Sequence, residues 1–268
     1  MFGERTDDSS TRRTEQQGRG GANGGRFGHQ GDPRLIPDAT PDQMAKHPTP
    51  DIDAATTFHQ TPTLMYATYI FPRLMDWVLR GERFQAERRQ LLTPVHGIVL
   101  EIGFGTGLNL PHYPPTVTAL HTVDPAPLLP DRVARRVAQV SFPVHFQQRS
   151  AEQLPFDDAT FDDVVSTFTL CTIPDPVRAL HDIRRVLKPD GRFLFLEHGR
   201  SDDPLIARWQ DRLNPLQNIL ACGCHLNRRI DRLVLDAGLR LDQLDRYCLP
   251  GVPRIGGEMY RGTACVNR

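Results

Sequence analysis

Apolar positions follow two rhythms along this chain. Short, nearly continuous runs at Val99-Leu100-Glu101-Ile102, Leu120-His121-Thr122-Val123 and residues 144–148, 161–171 and 192–197 read as buried strands. Between them the apolar residues recur every three or four positions. Residues 130–140 give one such helix behind Pro130, and Leu180, Ile183 and Leu187 mark another behind an Asp175-Pro176 start, which supplies a cap and a first-position proline. Strand and helix therefore alternate as far as residue 197. That order predicts an α/β fold, a doubly wound Rossmann-like parallel sheet with right-handed crossovers and ligands at the carboxyl ends of its strands.

Helical periodicity also flanks this region. Met65, Tyr66, Tyr69, Ile70, Leu74, Trp77 and Val78 share a helical spacing interrupted by Pro72, and residues 80–92 form a second, more charged helix. Both are expected over the ligand edge, where Tyr66 and Tyr69 either touch cofactor or acceptor or simply pack a helical lid. Asp203-Pro204 opens a helix carrying Leu205, Ile206, Trp209 and Leu213, Pro215 is expected to break it, and residues 216–220 lead toward Cys222 and Cys224. Residues 230–237 form a last helix stopped by Gly238, and residues 239–247 and 258–266 alternate as two final strands.

Residues 1–60 break both rhythms. They are rich in Gly, Arg, Asp, Gln, Thr and Pro, hold few large apolar side chains and are expected to be a disordered tail. The glycine-rich stretch at 18–31 looks faintly like an RNA-binding tract, but seven Lys/Arg against nine Asp/Glu over residues 1–60 lack the required basic excess. The expected organisation is thus a tail over 1–60 and one domain over 61–268, with N-terminal helices at 61–95 and a lid insertion at 199–228.

Charge and cysteine usage narrow the class. In 268 residues, 32 Lys+Arg balance 32 Asp+Glu, so nothing pulls the molecule toward nucleic acid or an anionic surface. The start carries no basic-plus-apolar signal, and no apolar run approaches the roughly 18 residues of a spanning helix. Five irregularly spaced cysteines fit a reducing compartment. A cytoplasmic protein without an integral membrane segment is expected.

Chemistry centres on Glu101-Ile102-Gly103-Phe104-Gly105-Thr106-Gly107, where a strand runs into alternate glycines and a helix is expected from Thr106 or Gly107. Glycine lets backbone turn sharply and lets a ligand lie against the main chain. A dinucleotide loop places its third glycine later, a phosphate-binding P-loop needs Gly-Lys-Ser/Thr, and Glu101 would repel a pyrophosphate. The acid suits a cationic ligand. Asp124, 21 positions beyond Gly103 and followed by Pro125, sits where a carboxylate can accept both ribose hydroxyls, or where a turn residue precedes a proline.

With Glu101 before it and Asp124 after it, the glycine trio resembles motif I of the class I S-adenosylmethionine-dependent methyltransferases. FDDVVSTFTLCTIPDP and RRVLKPDGRFLFLEHG extend the resemblance over roughly residues 64–266. It implies a seven-stranded sheet closed by an antiparallel pair, S-adenosylmethionine as cofactor, and cofactor contacts from Glu101, Gly103, Phe104, Gly105, Gly107, Asp124 and Pro125. Ser150-Ala151-Glu152 stands where the family usually has Asp-Ala-Glu at the adenine, so Ser150 replaces a charged acceptor with a weaker one. Thr167 and Cys171 are expected at the methionine end, although Cys171 also reads as a small buried hydrophobe.

Methyl transfer from a sulfonium mainly needs positioning and exclusion of water, with a base only where the nucleophile must lose a proton. His198 is the candidate base, behind Glu197 as an orienting acid; the alternative is a local hydrogen bond that fixes its loop. Cys222, Cys224 and His225 form a C-x-C-H run without a second ligand pair. No metal is expected there, and Cys224 or His225 is expected to line the pocket. LCTIPDP, LEHG, NPLQ and GCHLNR look like the branch holding the microsomal alkyl-thiol methyltransferases. A small thiol is therefore the first expected acceptor, with an amine or phospholipid headgroup, or a phenol or quinone hydroxyl, next. A cofactor-binding regulator without turnover is the non-enzyme alternative.

Overall fold

The structure is a computed structural model that describes residues 65–125 and 129–266, so the tail expected over residues 1–60 lies outside the described residues. A π-helical turn, Tyr66–Ile70, runs into α1 (Phe71–Leu79), and α2 (Glu82–Leu92) follows. Then come β1 (Gly97–Ile102), β2 (Val117–Val123), α3 (Pro130–Val137), β3 (Val144–Gln147), β4 (Phe161–Thr167) and α4 (Pro176–Val186). The chain closes with β5 (Leu187–His198), α5 (Pro204–Leu220), α6 (Ile230–Asp236), β6 (Leu239–Cys248), the short α7 (Arg254–Gly257) and β7 (Glu258–Val266).

The seven strands form one sheet in the order β3-β2-β1-β4-β5-β7-β6, with β7 antiparallel to both of its neighbours. Alternation along β1 explains why it must be covered twice. Leu100 and Ile102 enter a core shared with Leu180 and Ile183 of α4 and Val234 of α6, whereas Val99 enters a second core with Leu91 and Leu92 of α2 and Val133 of α3. Glu101 shares the face of Val99. Its carboxylate is thereby aimed at the α2 side of the sheet, at the carboxyl end of β1.

Several expected elements differ: the strand expected over 161–171 ends at Thr167, and Leu187, expected on the buried face of α4, opens β5 instead. The helix predicted from Thr106 or Gly107 is absent; the loop folds into turns and a single 3-10 turn, Leu110–His112. Gly103, Gly105 and Gly107 all have φ between 57 and 76°, and Pro111, Pro114 and Pro115 stop any longer helix. The break predicted at Pro215 does not occur, because α5 runs through it. Asn214 accepts from the Leu226 N–H at 2.8 Å, and Asn214 and Asn218 both contact the His225 ring, so tertiary anchors hold the helix around the proline. The Asp175 cap forms as expected, accepting from the Arg178 N–H at 3.0 Å.

Candidate active site

The glycine loop shows what its glycines are for. A Cβ at Gly103 would fall 2.1 Å from Thr169 Oγ1, so that glycine allows β1 and the loop after β4 to touch. A Cβ at Gly105 would meet no described atom beyond its chain neighbours closer than 4.0 Å, and the loop borders a cavity there. Gly107 packs under the Phe104 ring. The loop is pinned from both sides: the Gly105 N–H donates to Asp124 Oδ2 at 2.8 Å, and Thr106 Oγ1 donates to Asp76 Oδ1 at 2.6 Å. Asp76 is buried on α1 and also pairs with Arg132 and Arg136 of α3, which lowers its pKa despite burial.

The cavity, about 630 Å³, lies over the carboxyl ends of β1, β4 and β5, a volume suited to a small ligand pair. Its polar floor is Glu101, which accepts from Asn109 Nδ2 at 2.8 Å and from the Tyr113 hydroxyl at 2.7 Å. Arg88 reaches in from α2 and donates to Asn109 Oδ1 at 2.6 Å and to Thr167 Oγ1 at 2.8 Å, while its buried Nε has no partner among the described residues. Burial raises the Glu101 pKa to about 7, outweighing Tyr113, Arg88 and Asn109, and burial lowers that of Arg88 to about 10. A carboxyl that titrates near neutrality and a standing guanidinium thus share one wall.

The other end is apolar and closed by helices. Phe71 and Met75 of α1, Leu213, Leu216 and Leu220 of α5, and Met259 of β7 line it. Tyr66 ties the two helices by donating to the Leu220 carbonyl at 2.8 Å. Neither Tyr66 nor the half-exposed Tyr69 lines the cavity.

Polar side chains also stand at this end: Thr172 and Gln217 are among the lining, and Cys171, His198 and Cys224 come together there. His198 Nε2 lies 2.9 Å from Cys224 Sγ, and its Nδ1 is buried without a partner among the described residues. Burial opposes charge on His198, but Cys224 and Glu197 outweigh it and the balance is upward. Contact with Cys171 and burial push the Cys224 thiol well up, so at neutral pH its sulfur keeps its proton. Glu197 does not orient His198 as expected. It accepts instead from Ser166 Oγ at 2.8 Å and from the N–H groups of Thr169, Leu170 and Cys171 at 3.0, 3.1 and 3.4 Å, fixing the loop that carries Cys171. Successive residues of a strand point to opposite faces, which separates the two side chains.

Of the residues expected at the site, Glu101, Gly103, Phe104, Gly105, Thr167, Cys171 and His198 line the cavity. Gly107, Asp124, Pro125, Ser150, Ala151 and Glu152 do not. Asp124 abuts the loop from the tip of β2, and Pro125 is exposed beside it. Ser150 donates to Glu152 at 2.8 Å, Glu152 accepts from the Asp175 N–H at 2.7 Å, and Ala151 is packed in the core. His225 is held by Asn214 and Asn218, so the Cys222-to-His225 run does not converge on one point; only Cys224 of that run meets Cys171 and His198.

Sequence reasoning missed Arg88, Asn109, Tyr113 and Asp76. Arg88 had a signal: it shares a helical face with Phe84, Leu91 and Leu92, where a charge is out of place unless it meets one. No helix among the described residues is long and apolar enough to cross a membrane.

Residues 100–195 match the family described as "Methyltransferase domain". A phosphatidylethanolamine N-methyltransferase of Cereibacter sphaeroides is 31% identical over 166 residues, 60% of this chain and 80% of that protein. The human thiol S-methyltransferase TMT1B is 29% identical over 212 residues, 70% of this chain and 84% of its own length. Among solved structures, the N-methyltransferase NodS of Bradyrhizobium japonicum superposes with a TM-score of 0.53 at 16% identity, covering 71% of this chain and 99% of that one.

Proposed function

The chain belongs to the class I S-adenosylmethionine-dependent methyltransferases, and from that premise we propose that it methylates a small, apolar thiol. S-adenosylmethionine, when bound, supplies an electrophilic methyl group on a sulfonium. Features of this chain fit that cofactor. Gly105 leaves open the space a side chain would fill, Glu101 offers a carboxyl to an ammonium, and Arg88 offers a guanidinium with a spare buried N–H to a carboxylate. Asp124 is assigned to the ribose, and Pro125, Ser150, Ala151 and Glu152 to the adenine side, outside the closed cavity.

The observation that carries the thiol reading is the acceptor end itself. Its walls are mostly apolar, and the carboxylates lining the cavity among the described residues are Glu101, beside Arg88 and Asn109, and Asp76, engaged by Thr106 and three arginines. A cationic headgroup at His198 would lose its hydration without a carboxylate to replace it, which is costly. A neutral thiol enters without that penalty. His198 is the group assigned to relieving the acceptor of its proton, and the helices α1 and α5 exclude water while the acceptor sulfur is aligned.

A second reading, methylation of a phospholipid amine, is favoured by the Cereibacter relative and by exposed Trp77 and Ile219 on the lid helices. An acceptor panel separates the two. The full chain is incubated with S-adenosylmethionine and an alkyl thiol, phosphatidylethanolamine in mixed micelles, or a phenol, and S-adenosylhomocysteine is followed. Turnover with the thiol is expected. Turnover confined to the lipid or the phenol overturns the thiol reading, and cofactor binding with no turnover on any acceptor points to the regulator.

A further inference from the structure

The acceptor end contains more donor chemistry than proton removal requires. The ligand atoms of Cys171, His198 and Cys224 all lie within 4.8 Å of one another, and all three residues line the cavity. They arrive from three separate pieces of chain: the loop after β4, the end of β5 and the loop after α5.

Each piece is clamped from behind. Glu197 holds the Cys171 N–H, the Cys171 carbonyl accepts from the His225 N–H at 2.9 Å, and Arg228 donates to the carbonyls of Leu170 and Ile173. The Cys224 N–H donates to the Ala221 carbonyl at 3.1 Å. Such rigid backbone support is what a preorganised donor set needs, and it is built here without a disulfide, all five cysteines being free.

We propose that Cys171, His198 and Cys224 form a Cys2His zinc site whose fourth position faces the cavity and takes the sulfur of the acceptor. Two thiolates and an imidazole in tetrahedral array suit zinc among the divalent metals. Three protein ligands with one open position are the pattern of catalytic rather than structural zinc. Bonds of about 2.3 Å to sulfur and 2.0 to 2.1 Å to nitrogen put tetrahedral ligand atoms roughly 3.6 to 3.8 Å apart. The 2.9 Å His198–Cys224 separation must therefore open by less than an ångström on loading, and the spread of up to 4.8 Å must close by about an ångström. The two thiolates cancel the ion's charge, so the loaded site is neutral in an apolar cavity.

The chemistry balances without a redox partner. Loading releases the two thiol protons of Cys171 and Cys224. The acceptor RSH gives one proton to water as its sulfur takes the fourth position, because zinc stabilises the thiolate. An electron pair of that sulfur forms the new S–CH3 bond as the methyl–sulfonium bond breaks, and RSCH3 and S-adenosylhomocysteine leave. In the loaded protein His198 serves as a ligand and the ion does the activation.

The identity of the fourth ligand rests on the thiol reading above; binding of the ion does not. The test uses the full chain under a phosphine reductant, with Co2+ as the spectroscopic probe and Zn2+ as competitor. One Co2+ per chain with thiolate-to-cobalt charge-transfer absorption is expected, bleached by Zn2+, shifted by an added alkyl thiol, lost in Cys171→Ser and Cys224→Ser, and kept in Cys222→Ser. Circular dichroism and S-adenosylhomocysteine binding check that the serine variants fold. Absence of the band, or its survival in both serine variants, overturns the site. A band that ignores the thiol, with turnover undiminished by chelation, overturns the acceptor role. If the band forms but only the lipid amine is methylated, the thiol reading and the acceptor role fall while the metal site stands.

Discussion

Replacing Glu101 by Gln should separate what this carboxyl costs the fold from what it gives the cofactor. In the ligand-free protein burial lifts its pKa from 4.5 to about 7. At about 1.4 kcal/mol per unit, ionising it in place costs about 3 kcal/mol. The folded state thus holds this proton more tightly than the unfolded chain. Its contribution to stability is complete below pH 4.5, declines as pH rises toward 7, and is gone above. Glu101→Gln, which cannot ionise, should match the wild type near pH 4.5 and exceed it at pH 8 by up to about 3 kcal/mol, roughly 6 to 12 °C in Tm for a domain of this size.

The cofactor's ammonium reverses the preference, because it needs the carboxylate. Wild-type affinity should rise about tenfold per pH unit below pH 7 and level above it, while the variant binds weakly and without that slope. Urea unfolding at pH 5 and 8, with calorimetric titration of S-adenosylhomocysteine at the same values, reads both effects. A variant less stable than wild type at pH 8, or a wild-type affinity flat from pH 5.5 to 8, would mean that Glu101 is neither a buried acid held protonated nor the ammonium's partner.

Three further outcomes follow from the same wall and loop. Gly105→Ala should cost only about 1 kcal/mol in unfolding, for its φ of 57°, yet lose cofactor binding in titration, whereas Gly103→Ala should lower Tm sharply because its Cβ would meet Thr169 at 2.1 Å. Arg88→Met keeps the stem and removes the charge; it should weaken binding of S-adenosylhomocysteine by about 2 to 3 kcal/mol and have less effect on methylthioadenosine, which lacks the amino acid end. Asp76→Ala leaves Arg132 and Arg136 without their shared buried partner and should destabilise by about 3 kcal/mol or more in urea, with the glycine loop loosened through Thr106.

Periodicity carried most of the fold. The strand runs at 99–102, 120–123 and 161–171 and the Asp175 cap are local signals; strands form at the first two, the third ends at Thr167, and the cap forms. The misses arose where distant contacts overrode local preference: α5 survives Pro215 because Asn214 and Asn218 anchor it, and the glycine loop fails to start a helix because three prolines follow.

The site divides in the same way. Gly105 and Glu101 are legible as a motif. Arg88 shows only as a charge on an apolar helix face, and its meeting with Asn109 and Thr167 is a product of packing. Cys171, His198 and Cys224 lie far apart in the chain, so no spacing rule joins them. Of the neighbouring run Cys222, Cys224 and His225, only Cys224 meets Cys171 and His198.

In the proposed reaction one cavity brings the sulfonium methyl to an acceptor sulfur. A single-turnover reaction of the full chain with carbon-13 methyl-labelled S-adenosylmethionine and an alkyl thiol, read by NMR of the methyl carbon, tests this directly. The label should move to a methyl thioether, one per active site. Label on nitrogen or oxygen with the other acceptors, or label that stays on the sulfonium while the thiol is present, would contradict it.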